Sequence, residues 1–266
     1  MSSHPVKSLI LTAALIAPGA VSAQDGVSVG APSALRNLVP AAQLEQQSAI
    51  QYSEMLQQAS MHHALATDRN RQLIRLREIA ARIIRHADRF NPRASQWQWK
   101  INLIRSKQLN AFCMPGGKIA VYSGLIDELR LADDEIAIVM SHEIAHALRE
   151  HARSRIAKGE LTQLGASLLG QKFGDGRYSG LFQAGGSLLT LKFSRSDETD
   201  ADLVGLELAA RAGFDPRAGI TLWRKMTQAS NGAPPQWLST HPSGANRENE
   251  IRRHLPEVLP LYRNAR

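Results

Sequence analysis

Between Asp133 and His151 the chain runs without a single Pro or Gly, and inside that run lies His142-Glu143-Ile144-Ala145-His146. Such a stretch forms a helix, and residues four apart on a helix are separated by about 400° of rotation and about 6 Å of rise. His142 and His146 therefore project from one face and can grip one metal ion. Glu143 stands about 100° round from His142, near enough to take a proton from a water without filling a coordination position. Ile136, Val139, Met140, Ile144, Ala147 and Leu148 give the same helix an apolar face. Burying two histidines and a glutamate among them is costly unless a metal or hydrogen-bond partners are present. The rest of the fold must close around this helix and complete its polar site.

Two histidines leave such a metal short, because a catalytic zinc normally takes three protein ligands and a water. In one large class the third is a His six residues after the second, with a Gly three after it. Those positions here are Ala152 and Arg149, and His151 falls about 180° round the helix from His142. The third ligand is therefore expected from another segment. The best candidate segment is Ser194 to Gly205, which opens a Leu- and Ala-rich helix. Glu198 and Asp202 share one face of it at i, i+4, while Asp200 points the other way. A solvated acidic first turn stabilised by the helix dipole accounts for Asp197 and Asp200 but not for the Glu198 and Asp202 pattern.

Elsewhere the pattern is that of a mixed scaffold. Ala41 to about Ala66 and Asp68 to Phe90 read as scaffold helices, the second ended by Asn91-Pro92. Trp97, Trp99, Ile101 and Leu103 then alternate with polar residues, as a half-buried strand does. Asn110-Ala111-Phe112-Cys113-Met114, Pro115-Gly116-Gly117 and Lys118 to Tyr122 read as strand, tight turn and strand. This is either a plain structural hairpin or an edge strand, Asn110, Ala111, Phe112 and Cys113, along which an extended peptide substrate pairs. The glycine-rich residues 170–186 read as a mobile loop, a lid or an ordinary connection.

Ahead of these elements, His4 and Lys7 precede the apolar run Leu9 to Ala17, and Val21-Ser22-Ala23 precedes Gln24. The expectation is a cleavable signal peptide over residues 1–23, a flexible exposed linker over 24–40, and a periplasmic location. The apolar run is too short for a span of about twenty residues. Residues 41–266 are expected to form one domain, with scaffold helices over 41–90 and a catalytic core over about 91–255. Cys113 is the only cysteine, so no intramolecular disulfide is available. The formal net charge of +8 favours anionic partners, including peripheral association with an acidic membrane surface. The basic residues are scattered and no nucleic-acid motif accompanies them, so no nucleic-acid partner is expected. Oligomeric state is not legible at this level.

The combination of Asn110-Ala111-Phe112 with Pro115-Gly116-Gly117, Gly124-Leu125, His142-Glu143-x-x-His146 and Glu198-x-x-Ala201-Asp202-x-x-Gly205 resembles the HtpX and CAAX prenyl protease family of zinc endopeptidases. The resemblance covers roughly residues 70 to 255 and points to its soluble periplasmic BepA/LoiP-like branch. It implies an α+β fold, a mainly helical zincin (gluzincin) domain with a small antiparallel sheet beside the metal helix. It also implies one Zn2+ held by His142, His146 and Glu198, with Asp202 behind them and Glu143 as general base. His241, before Pro242, and Arg247 match the family's downstream site residues. His241 would cap the metal in a resting state or stabilise the oxyanion. The implied activity is hydrolysis of peptide bonds in unfolded or misassembled cell-envelope proteins, with envelope or outer-membrane polypeptides as partners. The rival reading is a chaperone-like assembly factor that uses the same groove with little turnover.

Overall fold

The computed structural model describes residues 25–168, 188–230, 236–242 and 247–266. The expected signal peptide and the expected glycine-rich loop lie outside these residues. The architecture is α+β: helices α1 (Ala41–Met61) and α2 (Arg71–Ile84), a three-stranded sheet, then helices to the C-terminus. The strands are β1 (Lys100–Ile104), β2 (Ala111–Met114) and β3 (Lys118–Tyr122). After them come α3 (Ser123–Glu128), α4 (Asp133–Leu148), α5 (His151–Leu168), α6 (Arg195–Arg211), α7 (Ala218–Ala229), α8 (Gln236–Thr240) and α9 (Arg247–Asn264). Among the described residues no helix is long and apolar enough to cross a membrane.

The sheet is mixed, which corrects the expectation of an antiparallel one. β2 and β3 form the antiparallel hairpin read from the sequence, with Ala111 opposite Val121 and Cys113 opposite Ile119. β1 pairs with β3 in parallel, Ile101 beside Ile119 and Leu103 beside Val121. The strand order β1-β3-β2 explains the difference. The chain reverses after β1 and returns as β2 one place away, leaving a gap that β3 enters running the same way as β1. β3 is buried from Lys118 to Val121 and takes the centre, where both of its edges are paired. The hairpin turn needs its glycines. Pro115 is followed by Gly116 at φ +79°, as a type II turn requires, and the Gly117 amide donates to the Met114 carbonyl. A Cβ on Gly117 would stand 2.7 Å from the Trp99 ring.

Helix α4 runs through the core and is buried from Glu135 to Leu148. Asp133, Asp134 and Glu135 place negative charge in its first turn, where the helix dipole favours it. It packs on α6, β2, α2 and α7. Against α6 the approach is close: a Cβ on Gly205 would lie 3.0 Å from the His142 nitrogen and 3.1 Å from its Cα. Only a glycine lets the two backbones meet there. Helix α2 is capped by Asn70, whose side chain accepts from the Gln72 and Leu73 amides, and it buries Leu73, Leu76, Ile79, Ala80 and Ile83.

The N-terminal segment departs from the expected exposed linker. Val27 and Val39 are 5% and 2% exposed. The Val27 amide donates to buried Glu207 of α6 at 2.7 Å, and Arg89 and Arg211 pair with the same carboxylate at 2.8 and 2.7 Å. The reason is a buried charge. Glu207 requires donors once it is removed from water, and this strap supplies one of them.

Candidate metal centre

His142 and His146 on α4 meet Glu198 from the first turn of α6 and His241 from the end of α8, all four buried. Their ligand-capable atoms lie within 4.8 Å of one another. The two histidines turn Nε2 towards each other at 3.0 Å, and Glu198 lies 3.6 Å from His142 Nε2 and 3.5 Å from His146 Nε2. His241 Nδ1 is 3.1 Å from Glu198 Oε1 and 3.4 Å from His142 Nε2. Four donors about 2.05 Å from a common centre stand about 3.3 Å apart in a tetrahedron. The printed separations of 3.0–3.6 Å lie near that spacing, with His142 facing Glu198 Oε2 and His146 and His241 facing Oε1.

Charge fits as well. Among the described residues, Glu143, Glu198 and Asp202 are buried together with one guanidinium, Arg247. Three carboxylates against one cation leave two formal negative charges, the deficit a divalent ion would neutralise. Burial, reinforced by the neighbouring His142, His241, His151 and Arg247, holds His146 well below its ordinary pKa and so in its neutral, ligating form. Burial would lower His241 too, but Glu143 and Glu198 outweigh it and bring its pKa above the ordinary value. Burial alone would raise Glu198; hydrogen bonding and charge from His241, with His142 and Arg247, bring it below its ordinary range.

Behind this cluster Asp202, one turn beyond Glu198, reaches His142 Nδ1 at 3.0 Å. Arg247, the first residue of α9, donates to Asp202 through Nε at 2.7 Å and Nη2 at 2.5 Å, and to Glu198 through Nη1 at 2.7 Å. Its guanidinium lies 3.8 Å over the Trp223 ring. Despite its burial, Asp202 is held at about 2, chiefly by the Arg247 charge and the His142 bond. All three guanidinium nitrogens are thus committed to carboxylates. Arg247 holds the Glu198 and Asp202 carboxylates in place through these bonds.

Glu143 is buried beside the cluster, 3.6 Å from His241 Nε2. Its Oε1 accepts a hydrogen bond from the Trp237 indole at 2.5 Å. Trp237 was missed in the sequence reading. It lies four residues before His241 on α8, and that spacing places both rings on one side of the helix, stacked at 4.9 Å. Phe193, also missed, stacks on His146 at 4.0 Å. Asn110, Ala111, Phe112 and Cys113 line a cleft together with Glu143 and His241. Ala111 to Met114 form β2, one of the two outer strands of the sheet. Burial pushes the Cys113 thiol well above its ordinary pKa, which leaves it a small apolar residue.

A helix with H-E-x-x-H, a carboxylate from a second helix and a buried acid beside them define a metalloprotease class of site. The chain belongs to peptidase family M48, whose model matches residues 70–255. It is 35% identical over 170 residues to the mitochondrial metalloendopeptidase OMA1 of Arabidopsis thaliana, a match covering 62% of this chain and 34% of that protein. The OMA1 of Schizosaccharomyces pombe is 36% identical over 167 residues, 62% of this chain and 49% of the relative. The beta-barrel assembly-enhancing protease of Yersinia pestis is 30% identical over 171 residues, 59% of this chain and 35% of the relative. The match thus spans between about a third and a half of these relatives' length.

These relatives overturn the expected periplasmic location, since the two more similar ones are mitochondrial proteins.

Proposed function

We propose that this chain is a zinc-dependent endopeptidase of the HtpX-like kind, acting on unfolded or misassembled polypeptides of a cell envelope. The observation that carries the reading is the buried His142, His146 and Glu198 cluster with Glu143 beside it, opening on the outer strand β2. Two imidazoles and a carboxylate are a donor set that suits zinc. A bound zinc ion would supply Lewis acidity towards water and the scissile carbonyl. Glu143 accepts the proton of the attacking water and passes it to the leaving amine. Asp202 fixes His142 through Nδ1, and Arg247 holds both Asp202 and Glu198 in place. An extended substrate pairs with Ala111 to Met114 through main-chain hydrogen bonds, which select little by side chain and so suit unfolded proteins. His241, beside Glu198 and His142, would be a further residue able to hold the ion, and its side chain would have to move for substrate to enter. The envelope substrate class draws support from the beta-barrel assembly-enhancing relative.

The test is the Glu143→Gln protein. It should fold and hold one zinc per chain as the wild type does, while hydrolysis of an unfolded outer-membrane β-barrel protein falls by a factor of about 10²–10⁴. Undiminished cleavage would sink the assignment. A chain that held zinc but never cleaved, and still prevented aggregation of that substrate, would be the chaperone-like factor instead.

A further inference from the structure

His151 opens α5, beyond the end of α4, and Asp200 points away from Glu198 on α6. The fold brings them together behind His146. His151 Nδ1 is 2.9 Å from His146 Nδ1, and His151 Nε2 is 3.0 Å from Asp200 Oδ2. Arg149 Nε donates to that same Asp200 oxygen at 2.5 Å, and the Arg149 guanidinium also bonds the Gly30 carbonyl. His151 is buried, and its ring packs edge-on against that of His146 at 4.9 Å between centroids.

The chemistry of the chain of contacts allows one arrangement of protons. Asp200, paired with Arg149, is an acceptor only, so His151 carries a proton on Nε2. Its Nδ1 then accepts, and the proton between the two rings belongs to His146 Nδ1. His146 is left with a lone pair on Nε2, the atom that faces His142 Nε2 and Glu198. The opposite arrangement would set two acceptors against each other at 3.0 Å, or place an N–H where the metal is expected.

We propose that Asp200 and His151 form a relay that positions His146 as a metal ligand, a counterpart to the Asp202 contact that positions His142. Each imidazole of the H-E-x-x-H helix is then oriented by a carboxylate of α6, Asp202 directly and Asp200 through one intervening ring. This inference rests on the metalloprotease reading. His151 and Asp200 are positioning residues and touch neither substrate nor the reacting atoms. Outer partners of this kind are worth about 10–100-fold in metal affinity.

The test is zinc affinity of the full chain, measured by competition with a chromophoric chelator, for wild type, His151→Leu and His151→Gln. Leu fills the space but cannot accept from His146, whereas the Gln amide offers an oxygen towards His146 and an N–H towards Asp200. Expected are a loss of about 10–100-fold for His151→Leu and recovery of most of it for His151→Gln. Wild-type affinity in the Leu protein, or equal losses in both variants, overturns the relay. If the Leu protein does not fold, long-range ¹H–¹⁵N spectra of the wild-type zinc protein decide the matter. They should show His151 protonated at Nε2 and bare at Nδ1, and a proton on His151 Nδ1 overturns the proposal. A wild type that takes up no zinc overturns the metal reading itself, an outcome distinct from the others.

Discussion

Replacing Arg247 by Met removes the guanidinium buried against Glu198 and Asp202 and keeps an unbranched side chain over Trp223. The cost can be worked from Asp202. Its carboxyl is held at about 2 against an ordinary value of 3.8, which corresponds to about 2.5 kcal/mol of stability. That value is already net of burial, which opposes ionisation. Without Arg247 the burial term stands unopposed, Glu198 loses its 2.7 Å partner, and the loss should reach the about 3–5 kcal/mol typical of a broken buried pair. The assay is urea unfolding of the metal-free protein in excess chelator, so that no metal substitutes for the missing charge. Its dependence on pH has a definite sign. A carboxyl with a lowered folded pKa stabilises above its unfolded value and loses that stabilisation as pH falls through the folded value. The gap between wild type and Arg247→Met should therefore be full at pH 7, with the Asp202 part down to roughly half by pH 3. A loss below about 1 kcal/mol at pH 7, in the range of an exposed pair, would refute the reasoning, as would a gap that widens in acid.

Glu198→Ala should leave a folded protein whose zinc occupancy after dialysis is sharply reduced, read by metal analysis. Full occupancy would transfer the ligand role to another carboxylate. Gly205→Ala introduces a Cβ 3.0–3.2 Å from the backbone of Ser141 and His142, so α4 and α6 must separate. The expected cost is about 1–3 kcal/mol in thermal or urea unfolding, together with weaker zinc binding because the separating helices carry opposite sides of the site. Glu207→Ala removes the acceptor of the Val27 amide and the partner of Arg89 and Arg211. Limited proteolysis should then cut within residues 25–39 at protease levels that leave the wild type intact.

How far the site is legible in the sequence depends on the range of the contact. His142 with His146, and Glu198 with Asp202, are pairs one turn apart, and helical geometry alone puts each pair on a common face. The Met114 to Gly117 turn is equally local. The parallel partner of β1 is not, since nothing in Lys100 to Ile104 says that β3 rather than β2 will lie beside it. The burial of Val27 follows from Glu207, 180 residues away. The placement of His151 opposite His142 assumes one helix through residue 151, but α4 ends at Leu148, Glu150 turns at φ +57° and His151 opens α5; its neighbour is His146, and its link to Asp200 exists only once α6 has packed on α4. Trp237 carried a readable spacing to His241 but no motif of its own, so its bond to Glu143 needed the fold.

The ligand-capable side chains are drawn from α4, α6 and the residue that follows α8, and His142 and His241 are 99 residues apart along the chain. No short fragment can hold the ion through all of them. A metal that binds the folded chain and not the open one adds stability in proportion to the logarithm of its free concentration, about 2.7 kcal/mol at a hundred times its dissociation constant. The supply of such an ion would therefore set the stability of the folded molecule. Metal starvation would deplete this protein by loosening it, before any question of slowed chemistry arises.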